Sequence, residues 1–179
     1  MTEGDSQMCS THREHALSRR AFAGLAAGAA LMLTPLRSTA SGVIEAMGVT
    51  CIDYRLVDDA MRFFDGLGLT NEYDELALAG ASLAAVSPKF PKANAAFWDQ
   101  LAISKNLHHI KKVIVLDHRD CGAYKVAFGK AFAAARDEET AQHAKVMKTL
   151  KAKLAKQHPD LEAAFYLMAL DGTAEKIAV

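Results

Sequence analysis

A chain of 179 residues, 51% of them apolar, can bury one hydrophobic core but not comfortably two. Its 21 basic and 21 acidic residues cancel, so the charge balance points to neither nucleic acid nor an anionic surface as partner. Three cysteines are too few for a disulfide-stapled scaffold, and no repeat or low-complexity tract is present.

The first stretch, roughly Met1 to Ala40, reads differently from the rest. "SRRAFAGLAAGAALMLTPLRSTASG" carries Arg19 and Arg20, then a weakly apolar run from Ala21 to Leu33. That run falls short of the roughly 20 apolar residues a membrane-spanning helix needs. It ends in Ser38-Thr39-Ala40, a small-residue site that suits a signal peptidase. With Ser18 before the arginines and Phe22 after them, the stretch resembles a twin-arginine export signal. An amphipathic or membrane-anchoring helix is the alternative. The expectation is a folded domain, residues 41–179, exported to the periplasm, with no stable membrane span once the signal is removed. Cleavage near Ala40 takes Cys9 away and leaves Cys51 and Cys121.

In chain order, "IEAMGVTCID" predicts a short strand that enters a loop at Cys51. "VDDAMRFFDGLGL" predicts a helix with Asp58 or Asp59 as its cap and Gly66 as its stop. "ELALAGASLAAV" is a second apolar run, ambiguous between strand and buried helix, and Pro88 and Pro91 break the chain after it. From Asn94, "NAAFWDQLAISKNLHH" predicts a helix with Phe97, Leu101 and Ile103 or Ser104 near one face. His108 and His109 close it, where the helix dipole favours them.

"KKVIVLD" is the clearest buried strand, a continuous β-branched and leucine run behind an exposed Lys111 and Lys112. From about Glu138 to His158, Val146, Met147, Leu150 and Leu154 recur at helical spacing, with lysines covering the remainder as a solvated face. "AAFYLMAL" is a last strong strand, with Asp171-Gly172 as a turn. Phe90, Phe97, Trp98 and Tyr124 read as core or interface residues. Strands alternating with helices predict an α/β fold, a mostly parallel central sheet flanked by helices.

Ligands in such folds collect beyond the carboxyl ends of the strands. Both remaining cysteines sit at such ends: Cys51 after "AMGVT", and Cys121 after "VIVLDHRD". In "CIDYR", an extended chain would point Cys51, Asp53 and Arg55 to one face and Ile52 and Tyr54 to the other. Cys51, His118 and Cys121 together supply two soft sulfurs and an imidazole nitrogen, the ligand set of a catalytic zinc with one open position. The competing readings are a Cys51–Cys121 disulfide or plain burial for the thiols, and a purely structural ion pair for Asp53 and Arg55.

Cys-x-Asp-x-Arg, followed about sixty residues later by His-x-x-Cys-Gly, resembles the β-class carbonic anhydrases. The resemblance runs from about Val49 to Tyr124, with an echo in the closing "FYLMALDGTAEKIAV". It implies that Cys51, His118 and Cys121 hold zinc. It implies that Asp53 either hydrogen-bonds water on the metal or, in a closed resting form, ligates the metal itself. Arg55 would draw Asp53 off the metal through a bidentate pair. The implied activity is reversible hydration of carbon dioxide to bicarbonate by hydroxide, zinc lowering the pKa of water from ~16 toward ~7. A homodimer or higher assembly is implied as well.

The chain also departs from that family's pattern. Tyr54 stands where serine is common, "LALAGAS" replaces an Arg-Asn-Ala-Gly-like segment, and Asp117 stands where a glycine usually precedes the histidine. The domain also lacks an obvious helical N-terminal arm. Hydrolysis of a related small molecule such as carbonyl sulfide, and zinc binding without turnover, are therefore the alternative functions.

Overall fold

A five-residue strand without a charged side chain, Ala46–Thr50 (β1), is buried along its whole length and lies inside the sheet. The computed structural model describes residues 42–129, 131–132 and 135–179. The export-signal reading of residues 1–40 lies outside them. The other strands are Tyr73–Ala77 (β2), Lys112–His118 (β3), Glu162–Met168 (β4) and Ala174–Lys176 (β5). Their order across the sheet is β2-β1-β3-β4-β5. The first four run parallel, and β5 pairs antiparallel with β4. The expected mostly parallel α/β sheet is present.

Parallel strands need crossovers, and helices supply them. Val57–Gly66 (α1) joins β1 to β2; Ser82–Val86 (α2) and Pro91–His108 (α3) join β2 to β3. Gly122–Phe128 (α4) and Arg136–Gln157 (α5) join β3 to β4. Side chains alternate along each strand, so each sheet face meets a different helix layer. Met47, Val49, Val113, Val115 and Phe165 pack against Phe97 and Leu101 of α3 and Met147, Leu150 and Leu154 of α5. On the other face Ala46 and Ile114 meet Phe64, while Leu116 and Met168 meet Leu56 and Ala60. Burying each such large apolar side chain contributes about 1.5–3 kcal/mol. Gly48 lets α1 come close: a Cβ there would lie 2.7 Å from the Phe64 and Tyr73 rings.

Several local expectations change. Neither Asp58 nor Asp59 caps α1; Leu56 holds the cap position without a side-chain bond, and both aspartates fall in the first turn. Acidic groups there still face the positive end of the helix dipole. "ELALAGASLAAV" is both strand and helix, divided by Gly80 and Ala81, whose φ values of 82° and 41° turn the chain. The third helix begins at Pro91, not Asn94, because proline's fixed φ and missing N–H suit a first helical position. The fifth runs over Arg136–Gln157, two residues earlier than its apolar spacing suggests. β5 follows the Asp171-Gly172 turn with only three residues, all exposed, and no sequence pattern announced it.

The chain passes from β1 to β2 on one side, then returns to β3 on the other side of β1. That reversal opens a crevice between the carboxyl ends of β1 and β3, where open α/β sheets take their ligands.

Candidate metal centre

Cys51 is the first residue beyond β1, His118 is the last of β3, and Cys121 lies at the N-terminal boundary of α4. The crevice therefore collects all three. Their ligand atoms lie within 4.8 Å of one another, and the two sulfurs are 3.9 Å apart without a bond between them. A tetrahedral zinc with sulfurs at ~2.3 Å would hold two thiolates ~3.8 Å apart. The Nδ1 of His118 hydrogen-bonds the Arg119 carbonyl oxygen at 2.8 Å. Its Nε2 is buried and has no hydrogen-bond partner among the described residues. A backbone carbonyl bonded to one ring nitrogen is a usual way to aim the other at a metal. The donor set and the unpartnered nitrogen both fit zinc.

The electrostatics agree. The Cys121 thiol holds Cys51 well below the usual thiol range, against the opposing effect of burial, with His118 and the Gly80 N–H assisting. Gly80 donates to the Cys51 sulfur at 3.2 Å, from a backbone position with φ 82°. Cys121 is pushed up in turn, first by the Cys51 sulfur beside it and then by burial. Two touching thiols cannot both ionise unaided; a divalent cation between them removes that conflict. Burial disfavours the charged form of His118, but Cys51, the Arg119 carbonyl and Asp53 together outweigh it and raise the pKa.

Asp53 and Arg55 stand beside the three ligands. Cys51–Asp53 is loop and Tyr54–Leu56 a single 3₁₀ turn, so the extended alternation expected for "CIDYR" does not exist. The two side chains meet for another reason: Asp53 caps the turn by accepting from the Arg55 N–H at 3.1 Å. The Arg55 side chain then folds back, donating from Nε to Oδ1 at 2.9 Å and from Nη2 to Oδ2 at 2.8 Å. This bidentate grip pulls the Asp53 pKa down to about 2. Asp53 Oδ2 remains 3.7 Å from His118 Nε2. Ile52 and Tyr54 are exposed.

An open cavity of about 330 Å³ reaches Cys51, Asp53 and Cys121. Its other walls are mostly apolar: Ile52, Ala79, Phe90, Ala123 and Val126. Phe90 thus lines the cavity, whereas Tyr124 and Phe97 are buried. His108 pairs with Asp74 at 2.7 Å, far along the sheet from Cys51 by register, and takes no part in the centre.

Behind the ligands lies a polar cluster that sequence reasoning missed. Asp117, 1% exposed, accepts from the Ser82 N–H at 2.9 Å and the Ser82 hydroxyl at 2.6 Å. It also accepts from the Tyr124 hydroxyl and bonds His143 Nδ1, both at 2.7 Å. These contacts tie α2, α4 and α5 to the end of β3. His143 was findable, because it shares the helical stripe of Val146, Met147 and Leu150. Asp117 was not; its partners come from three separate elements.

A family model described as "Putative carbonic anhydrase" matches residues 44–162. The chain belongs to that family. An uncharacterized protein of Rickettsia conorii is 36% identical over 129 residues, 72% of this chain and 69% of the relative. Another, from Rickettsia bellii, is 35% identical over 129 residues, covering 72% and 79%. The crystal structure of a carbonic anhydrase from Streptococcus mutans superposes with a TM-score of 0.53 at 18% identity, over 88% of this chain and 95% of that one. A β-carbonic anhydrase of Trichomonas vaginalis gives a TM-score of 0.50 at 18% identity, over 90% and 98%. The chain thus has the β-carbonic anhydrase fold. No helix among the described residues is long and apolar enough to cross a membrane.

Proposed function

We propose that this chain binds one zinc ion through Cys51, His118 and Cys121 and catalyses reversible hydration of carbon dioxide to bicarbonate. The observation that carries the reading is the buried Nε2 of His118, without a hydrogen-bond partner among the described residues and set among two thiols at the end of an apolar cavity. When bound, zinc supplies Lewis acidity, lowering the pKa of water toward ~7 so that a nucleophile exists at neutral pH.

The chain's own residues do the rest. Ile52, Ala79, Phe90, Ala123 and Val126 offer walls suited to a small uncharged molecule. Asp53, ionised across the physiological range, can accept a hydrogen bond from water at the mouth of the cluster. Arg55 holds that carboxylate on itself with two hydrogen bonds, which favours an open site. A closed resting form would need Asp53 to leave Arg55 and become a fourth ligand.

Two further readings complete the proposal. Ile52 and Val126, on the cavity wall, are 63% and 67% exposed, and Tyr54 is 86% exposed. Such an apolar rim suits a second copy of the chain, so the assembly is a homodimer or larger. Arg19 and Arg20 direct folded export to the periplasm, and zinc loading beforehand covers two thiols whose sulfurs are 3.9 Å apart.

Metal analysis of the purified protein should give about one zinc per chain. Stopped-flow carbon dioxide hydration should rise with pH. Zinc without any rate above buffer would overturn the assignment. Carbonyl sulfide hydrolysis would then be measured, and inactivity there would leave a zinc-binding protein without turnover.

A further inference from the structure

Between His118 and Cys121 the chain makes a two-residue bridge whose second residue, Asp120, has φ 53°. A non-glycine side chain rarely adopts that conformation unless its surroundings impose it. Two groups grip this residue from opposite sides. Arg55 donates from Nη1 to the Asp120 carboxylate and from Nη2 to its carbonyl oxygen, both at 3.1 Å. The Asp120 N–H donates to Glu139 Oε1 at 2.6 Å.

Glu139 comes from the first turns of α5, and its side chain is 4% exposed. Its other oxygen, Oε2, accepts from Arg119 Nη1 at 3.1 Å. Arg119, the first residue of the bridge, is itself held: its N–H donates to the Met168 carbonyl oxygen at 2.8 Å. Its Nη2 donates to Thr140 at 2.9 Å and to Glu175. One buried carboxylate therefore holds both residues between two ligands, one by its side chain and the other by its peptide.

We propose that Glu139 is a positioning residue for the metal centre, fixing the spacing of His118 and Cys121 and, through Asp120, the stance of Arg55 on Asp53. The proposal rests on the metal reading of Cys51, His118 and Cys121. Glu139 touches neither ligand nor substrate; it acts through the Arg119-Asp120 bridge. A glutamine in its place keeps the size but can accept only at one amide end. Either the Asp120 N–H or the Arg119 guanidinium then faces an NH₂ group in a buried site.

The test compares Glu139→Gln with Glu175→Gln. Glu175 also binds Arg119, but among the described residues its carboxylate pairs with Arg119 and Arg136 and not with Asp120, and it is half exposed. Zinc affinity is read by competition with a chromogenic chelator, and ligand geometry by the thiolate-to-metal band of the cobalt-substituted protein. Glu139→Gln should weaken zinc about 10-fold, the lower end of what losing a hydrogen-bond partner of a ligand costs because Glu139 acts one step further out, and should alter the cobalt band. Glu175→Gln should change affinity by less than about threefold and leave the band in place, since its contact is with an already multiply held side chain. Wild-type affinity and spectrum in Glu139→Gln, or equal losses in both variants, would overturn the proposal.

Should Glu139→Gln fail to fold, the wild type still decides. Its Asp120 amide, measured by hydrogen exchange in the metal-free protein, should be protected. Exchange at the rate of a free loop would overturn the clamp. Cobalt uptake by the wild type tests the metal reading separately, so a failure of one is not mistaken for a failure of the other.

Discussion

Two steps along β3 separate the apolar core from the reactive corner. Val113 and Val115 face α3 and α5 among Phe97, Leu101, Met147 and Leu150. The next residue on that face is Asp117, equally buried, yet surrounded by Ser82, Tyr124 and His143. On the opposite face Ile114 and Leu116 pack beneath α1, and the next residue is His118 with its unpartnered nitrogen. Mid-strand, neighbours are interchangeable hydrophobes, and stability follows the area removed from water. At the strand end specific donors and acceptors surround Asp117, and what is organised is geometry. Stability and function are thus successive registers of the same strands.

The sharpest way to separate them is one substitution in each region. Cys51→Ser should abolish stoichiometric zinc and all turnover, because a hard hydroxyl is a poor substitute for a soft thiolate. Leu150, 0% exposed, faces the mid-strand core. Leu150→Ala should cost about 2–5 kcal/mol of stability while the folded protein still binds one zinc per chain. Urea unfolding and metal analysis on both variants check this. If Leu150→Ala also emptied the metal centre, the two regions would not be separable.

A smaller effect sharpens the comparison within the corner itself. Arg55→Ala should keep zinc bound, since Arg55 contacts no ligand sulfur or nitrogen, but should slow carbon dioxide hydration. Loss of a positioning partner of this kind costs about 10- to 100-fold. The freed Asp53 carboxylate, 3.7 Å from His118 Nε2, can then approach the cluster. Unchanged turnover in Arg55→Ala, with zinc present, would reduce the Asp53–Arg55 pair to a structural ion pair.

How much of this was legible beforehand depends on how local each signal is. Cys51, His118 and Cys121 stood out because thiols and imidazoles are few and fall just after apolar runs. Asp53 and Arg55 stood out too, although the extended backbone that suggested their shared face is in fact a capped 3₁₀ turn. The parallel sheet followed from strands alternating with helices. The run "ELALAGASLAAV" stayed ambiguous because a wholly apolar stretch has no period; the boundary is set by turn conformations at Gly80 and Ala81. Glu139 and Asp117 left almost no trace. Their partners lie 19, 35 and 26 residues away, and a buried carboxylate looks like any other until those partners are in place.

The smallest expected effect is a pH dependence confined to the corner. In the metal-free protein the hydrogen bonds from Arg55 hold the Asp53 pKa at about 2, below its ordinary value of 3.8. A folded-state pKa below the unfolded one means that the pair stabilises the fold fully above about pH 4. That contribution is lost as the pH falls through about 2. Its size is about 1 kcal/mol or less, because the Arg55 side chain is 32% exposed and solvent screens the pair. The stability gap between wild type and Arg55→Ala, measured by urea unfolding of the metal-free proteins, should therefore narrow between pH 5 and pH 2. The gap for Leu150→Ala should hold nearly constant over the same interval, since the side chains clustered with Leu150 are apolar. An Arg55→Ala gap that is as wide at pH 2 as at pH 5 would mean that packing of the arginine stem, and not its hold on the Asp53 carboxylate, is what the corner loses.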